Sequence, residues 1–309
     1  MKKLAIIIGS EGQDGRILTD YLLSKNYSLI GVGKKIKTSD IDITKSDEVF
    51  KLVKKHKPNE IYYLAAYHHS SEEKDENQLE LIKQSYEVNV FGLANFLEAI
   101  RVCSKNTKIF YASSSLVFAG TDTSMQDEAT PYSPKCIYGI TKQDGAELCK
   151  LYRDEYNVFA SVGILYNHES NYRTDNFLSK KIIKNAIAIK KGEKQRLVVG
   201  NLSAETDWGY APDYIDAFYK ILNLDRPDDF IVATGVKKTV LDFVKTAFDC
   251  LGMDWEKYVV EDKDIVKRQK RSLVGNSKKL TTKTGWSPTV DFPQMVRILL
   301  EIEERNIDA

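Results

Sequence analysis

YASSSLVFAGTDTSMQDEATPYSPKCIYGITK, residues 111–142, starts as a strand and ends as a helix. It carries a serine run, Ser113, Ser114 and Ser115, and then Tyr138 and Lys142 in the pattern Tyr-x-x-x-Lys. Four residues apart on a helix, a phenol and an ammonium share one face. The ammonium can then lower the phenol's pKa while a serine hydroxyl from the strand end holds a substrate oxygen. That trio suits removal of the proton of a secondary alcohol as hydride leaves for a nicotinamide ring. Alone, Tyr-x-x-x-Lys is a weak signal, because an ordinary solvated helix carries it equally well. The surrounding chain raises it.

Upstream, residues 3–8 read as an apolar strand of the kind buried on both faces in a parallel sheet. Gly9, Ser10, Glu11, Gly12, Gln13, Asp14 and Gly15 follow, and RILTDYLLSK continues at helical spacing. Strand, glycine turn and helix in that order form a dinucleotide-binding context. The glycines let the backbone approach a pyrophosphate at the helix N-terminus, where free N–H groups and the dipole favour an anion. Candidate cofactor contacts are Gly9, Gly12, Gln13, Asp14 and Gly15. A second strand, YSLIGVG, runs into Lys34 and Lys35. A carboxylate there would take the ribose hydroxyls, whereas a lysine favours a 2′-phosphate, and the lysines equally read as a solvated strand end. Asp42 and Ile43 are placed to meet the adenine edge. EIYYLAA, residues 60–66, reads as a third strand whose small residues Ala65 and Ala66 let a ring or ribose approach, with Leu64 beside them as a further candidate contact.

Length and charge narrow the class. The 309 residues suffice for one large domain or two close-packed ones. Lys and Arg total 45 against 44 Asp and Glu, a net charge of +1, so no global field points to nucleic acid or a membrane surface. No run of about 18 apolar residues is present. LAIII near the N-terminus ends in a glycine turn and reads as a buried strand, not a signal peptide. The four cysteines are scattered, as in a reduced cytoplasmic protein. His68 and His69 are adjacent, so in a strand they point to opposite faces and make a poor metal pair.

Strands alternating with helices through about residue 166 predict an α/β fold, a Rossmann-type doubly wound parallel sheet. The remainder predicts a smaller C-terminal α/β substrate lobe. The expected organisation is a dinucleotide-binding domain over 1–166 with parts of 205–235, and a second lobe over the rest of 167–309.

The glycine turn, the serine-rich strand end and Tyr138-x-x-x-Lys142 together resemble the extended short-chain dehydrogenase/reductase family. GSEGQDG, PNEIYYLAA, GILYNHES, NFLSKKI, GNLSAETDWGYAPDYIDAF, FIVATG and TGWSP, in that order across nearly the whole chain, resemble GDP-mannose 4,6-dehydratase and its close relatives. The resemblance implies a GDP-linked sugar held between two lobes, with Tyr138, Lys142 and Ser114 as the catalytic trio. It implies substrate contacts from Asn167, Glu169, Phe177, Leu178, Lys181 and Asn201, with Ser114, Ser115 and His69 near the sugar. Arg268 or Arg271, in the basic run before Gly275, would supply a guanidinium to the diphosphate or ribose, unless that run is only a solvated face.

Departures from the family pattern decide the expected chemistry. Aligning SSSLVFAG with the family's STSELYG puts Ser114 at the catalytic hydroxyl and Leu116 where the dehydratases carry glutamate. In those enzymes oxidation at C4 acidifies the C5 proton, and that carboxylate helps remove it as water leaves from C6. Leucine neither accepts nor donates a proton. General acid–base help is worth about 10²–10⁴-fold per group, so elimination should be virtually lost while oxidation at C4 is retained. Thr206 replaces an expected arginine before DWGY, and the segment after Lys35 lacks an insertion linked to NADP binding and tetramers. NAD(H) is therefore favoured over NADP(H), and a homodimer through the helices starting near Tyr86 and Tyr138 is expected. A carbonyl acceptor would take the hydride. The alternatives are a 4-epimerase or 4-keto reductase, then residual dehydratase activity, and last a non-enzymatic dinucleotide sensor.

Overall fold

The computed structural model describes residues 2–33, 41–67, 77–262, 264 and 272–308. Six parallel strands form the main sheet: β1 (Leu4–Ile8), β2 (Ser28–Val32), β3 (Glu60–Tyr63), β4 (Lys108–Ser114), β5 (Ala160–Leu165) and, later in the chain, β9 (Asp229–Val232). Their order is β2-β1-β3-β4-β5-β9. Helices α1 (Gln13–Ser24), α2 (Ser46–His56), α3 (Gln78–Tyr86), α4 (Gly92–Cys103), α5 (Ile137–Tyr156) and α7 (Ala211–Leu222) cover it.

Alternation along β1 shows how the two faces are filled. Ile6 and Ile8 enter one apolar cluster with Val49 and Val53 of α2, Phe96 and Ile100 of α4 and Cys149 of α5. Ala5 and Ile7 enter the opposite cluster with Leu18 and Leu22 of α1, Tyr214 and Phe218 of α7 and the buried Trp286. Successive side chains of a strand point to opposite faces, so a sheet covered on both sides needs an uninterrupted apolar run such as LAIII.

The smaller lobe holds β6 (Asn167–Glu169), β7 (Leu197–Val199), β8 (Glu205–Tyr210), β10 (Lys237–Thr239) and β11 (Val259–Glu261), with α6 (Leu178–Lys190), α8 (Val240–Cys250) and α10 (Phe292–Asp308). α9 (Lys278–Thr284), expected in this lobe, instead packs on the main sheet against β9 and α7, because its buried Leu280 joins the cluster of Trp286. β10, β8 and β6 form a three-stranded sheet, and β11 pairs with β7. A third apolar cluster, including Ile183, Ile187, Trp208, Phe243, Phe248, Val296 and Leu300, is its core. Asp207, fully buried in β8, accepts hydrogen bonds from the backbone N–H of Thr234 (3.0 Å), Gly235 (2.9 Å) and Gly275 (3.3 Å) and from the Thr234 hydroxyl. One carboxylate thereby ties the end of the main sheet to the lobe.

Residues 85–104 do not form one uniform helix. A π-helical turn over Glu87–Phe91 separates α3 from α4. The Tyr63 hydroxyl donates to the Val88 carbonyl at 2.5 Å, and a Cβ on Gly92 would lie 2.4 Å from that hydroxyl. A side chain inserted into the helical ladder widens the turn, as π-bulges require.

Candidate active site

The glycine turn is built by close approach. Gly9 has φ +89°, a conformation strained for any other residue, and a Cβ there would lie 2.8 Å from the Ala65 amide nitrogen. A Cβ on Gly15 would lie 2.2 Å from the Gly9 carbonyl oxygen. Gly12 caps α1 without a side-chain hydrogen bond, so the first turn is left to its own N–H groups, an arrangement that suits a phosphate. Leu64 and Ala65 leave β3 directly beside this turn, the Leu64 N–H donating to the Ile8 carbonyl at 2.9 Å. Asp42 is exposed and accepts at Oδ1 from the Thr44 N–H (2.9 Å) and hydroxyl (2.7 Å), which hold its carboxyl below the ordinary range. Ile43 packs against the first apolar cluster.

β4 and α5 bring the serine run to the Tyr-Lys pair. The buried Ser113 hydroxyl donates to the Lys142 carbonyl at 3.1 Å, and Lys142 Nζ donates to the Ala112 carbonyl at 2.7 Å. Nζ also lies 5.6 Å from the Tyr138 ring centroid and 4.9 Å from that of Tyr111. Ser114 ends the strand, and its Oγ accepts the Leu116 N–H at 3.2 Å, opening a short 3₁₀ turn over Ser115–Phe118. Ser115 is buried. Leu116 is half-buried and belongs to none of the three apolar clusters. A Cβ on Gly139, one residue after the tyrosine, would lie 2.7 Å from the Leu116 carbonyl oxygen, so this turn and the start of α5 are in direct contact.

The electrostatics differ from expectation in one respect. Burial raises the Tyr138 phenol, and the cation pulling it down is Arg173, not Lys142. Burial pulls the Lys142 ammonium down to about 7, opposed by the charge of Asp14. An unfolded lysine holds its proton to about 10.5, whereas the folded one releases it near 7. Between those values the unfolded chain binds more protons, so folding stability rises with pH. Lys142→Met is expected to flatten that part of the stability–pH curve, as read by denaturant titration across the window.

The start of the smaller lobe crosses above the glycine turn. Asn167 is exposed, whereas His168 and Glu169 are buried. His168 Nε2 lies 3.0 Å from Asp14 Oδ1. Glu169 Oε2 accepts from Arg173 Nε (3.0 Å) and from the Ser179 hydroxyl (2.5 Å), tying the loop to the first turn of α6. The Arg173 guanidinium lies 4.0 Å from the ring centroid of Phe177, which caps that helix. Leu178 packs against the lobe core, Lys181 is half-buried in α6, and Asn201 Oδ1 accepts the Ser203 N–H at 2.9 Å. Lys34, His69, Arg268 and Arg271 lie outside the described residues. Among the described residues no group of three or more His, Cys, Asp or Glu side chains could hold a metal ion, and no helix is long and apolar enough to cross a membrane.

Three residues near the site were not singled out by sequence. Asn89, fully buried in the π turn, donates to the Thr141 hydroxyl at 2.9 Å and accepts the Tyr67 N–H at 2.9 Å, binding that turn to α5. His168 and Arg173 are the others. The available signal was their place in and just after GILYNHES, where polar residues stand at the end of an apolar strand.

Sheet order, glycine turn and Ser-Tyr-Lys placement define an extended short-chain dehydrogenase/reductase fold, Rossmann-like with parallel central strands. Solved structures agree on that fold. RMD from Pseudomonas aeruginosa complexed with NADPH superposes with a TM-score of 0.83 at 20% identity, covering 98% of this chain and 100% of that one. UDP-glucose 4-epimerase of Thermus thermophilus in complex with NAD gives 0.80 at 19%, covering 96% and 98%. The chain belongs to the GDP-mannose 4,6-dehydratase family, whose profile matches residues 6–299. It is 33% identical to GDP-mannose 4,6 dehydratase 2 of Caenorhabditis elegans over 100% of this chain and 91% of the relative. It is 32% identical to GDP-mannose 4,6 dehydratase 2 of Arabidopsis thaliana over 97% and 86%.

Proposed function

We propose that the protein is an NAD(P)-dependent oxidoreductase acting at C4 of a GDP-linked mannose-type hexose or heptose, and that it yields the 4-keto sugar without dehydration. The observation that carries this reading is Leu116, half-open and outside every apolar cluster beside an otherwise complete Ser-Tyr-Lys set. No core demand explains a leucine there, and a leucine has no proton to give or take.

The glycine turn at Gly9, Gly12 and Gly15 suits a dinucleotide, since a Cβ at Gly9 or Gly15 would fill the backbone's close approach. When bound, the nicotinamide supplies the hydride acceptor. Tyr138 takes the C4 hydroxyl proton, Ser114 Oγ, which accepts the Leu116 N–H, donates its own proton to the C4 oxygen, and Lys142 holds the phenolate and the ribose. Lys142 has the donors for both, being buried against the strand end. With no carboxylate at residue 116, the C5 proton stays in place and the 4-keto sugar leaves intact.

A bound dinucleotide would then hold the hydride, and a second carbonyl compound would have to accept it for turnover to continue. A dehydratase returns its hydride to the sugar, so the two outcomes separate spectroscopically. In a single turnover with GDP-mannose or GDP-mannoheptose, reduced-nicotinamide absorbance is expected to accumulate in proportion to enzyme and to fall when a carbonyl acceptor is added. Absorbance that never rises, with a 6-deoxy or C4-inverted product, would favour the dehydratase or epimerase instead.

NAD(H) is favoured over NADP(H) by the short connection after β2. A homodimer is proposed through the helices starting near Tyr86 and Tyr138, whose exposed apolar side chains include Phe91 (58% exposed), Val102 (53%), Leu151 (46%) and Tyr156 (48%).

A further inference from the structure

The imidazole of His168 is placed between two acceptors. Nδ1 lies 2.7 Å from the Tyr166 carbonyl oxygen, and Nε2 lies 3.0 and 3.1 Å from the two oxygens of Asp14. A carbonyl and a carboxylate can only accept. A neutral imidazole has one N–H, so either tautomer would press a ring lone pair against an acceptor at hydrogen-bond distance. Only the doubly protonated ring satisfies both contacts. Asp14 is the second residue of α1, on the helix end that the dinucleotide reading assigns to the pyrophosphate. An uncompensated carboxylate there would repel the phosphates.

We propose that His168 and Asp14 form a charge clamp between the dinucleotide turn and the sugar lobe, in which imidazolium neutralises the carboxylate beside the pyrophosphate and keeps the dinucleotide bound. The clamp rests on the dinucleotide reading above and adds to it a pH dependence of retention. That matters for an enzyme whose sugar product leaves while its nicotinamide is still reduced, because the second carbonyl compound must find the cofactor in place.

The surroundings support a single protonation state. Gln13 Nε2 donates to Asp14 Oδ1 and to the His168 carbonyl, both at 3.1 Å, and Gln13 Oε1 accepts the Ser170 hydroxyl at 2.9 Å. The Tyr214 ring stacks on the imidazole at 4.6 Å and 22°. The charged and titratable groups facing the pair are Asp14 from α1, Arg173 from the lobe, Lys142 and Tyr138 from α5, and the Tyr214 phenol, which burial keeps neutral. Burial and Arg173 oppose protonation of His168, and Asp14 and the Tyr166 carbonyl outweigh them, so its pKa stands above the ordinary histidine value. The charged clamp is therefore complete below the ordinary histidine range and is lost as pH rises through the raised value.

The test is NADH affinity, followed by fluorescence between about pH 6 and pH 9, for wild type, Asp14→Asn, His168→Gln and the double variant, each checked for cooperative melting. Wild type should weaken about ten-fold or more across the range, the scale of one charge left unpaired near a diphosphate. His168→Gln should bind weakly at every pH. Asp14→Asn should bind with no slope, and adding it to His168→Gln should restore affinity. A purely structural role predicts the opposite, with the double variant worse than either single one. A pH slope surviving in Asp14→Asn overturns the clamp even if His168→Gln fails to fold. If wild type binds neither NADH nor NADPH at any pH, the dinucleotide reading falls and the clamp with it, whereas tight but pH-independent wild-type binding overturns the clamp alone.

Discussion

Tyr138→Phe is expected to lower the oxidation rate by about 10²–10⁴-fold, the usual contribution of one general acid–base group, while NADH and GDP-sugar affinities stay within a few-fold of wild type. The substitution removes one oxygen from a half-buried ring in the first turn of α5 and leaves its packing volume intact. Its neighbours, Lys142 at 5.6 Å and the Leu116 turn beneath Gly139, keep their positions. Binding and chemistry should therefore separate. Single-turnover absorbance together with equilibrium binding checks this. Unchanged turnover would remove Tyr138 from the chemistry, and a partner response that persists without turnover would point to a sensor on the same fold.

Leu116→Glu is expected to bring elimination back. The side chain is half-buried beside the Ser114 turn and contributes to no apolar cluster, so a carboxylate there meets little packing penalty. Once C4 is oxidised, the C5 proton is acidic, and a carboxylate at this position can take it as water leaves C6. A gain of about 10²-fold in 6-deoxy-4-keto product over wild type is expected from restoring one base, with less reduced nicotinamide left at the end of a turnover. NMR of the nucleotide sugar reads the product directly. A variant that folds, oxidises C4 and still releases no water would show that residue 116 is not what separates this chain from its dehydratase relatives.

The parts of this architecture legible in sequence depend on local spacing. LAIII and the glycines behind it encode a doubly covered strand and a close backbone approach, and both are present as read. The register from Ser113 to Lys142 was readable for the same reason, a strand end and a helix start joined by one stretch of chain. What escaped depends on distant partners. His168 looks like any polar residue after a strand until Asp14, 154 positions away, is brought to 3.0 Å. The π turn at Glu87–Phe91 is caused by the Tyr63 hydroxyl arriving from a neighbouring strand, a contact no helical periodicity encodes. The pairing of Tyr138 with Lys142 implies an ammonium that lowers the phenol, but helix spacing does not report burial. Burial moves both groups toward neutrality and leaves Arg173 as the cation acting on Tyr138.

The fate of the sugar separates oxidation at C4 from elimination. Purified enzyme incubated with GDP-mannose and with GDP-mannoheptose, with nicotinamide dinucleotide and a carbonyl acceptor, should be analysed by mass spectrometry before and after borodeuteride trapping. The prediction is a nucleotide sugar lighter by two hydrogens, which takes up one deuterium at C4 on trapping. A product lighter by one water would mean that another group has replaced the missing glutamate, and the role assigned to Leu116 would be wrong.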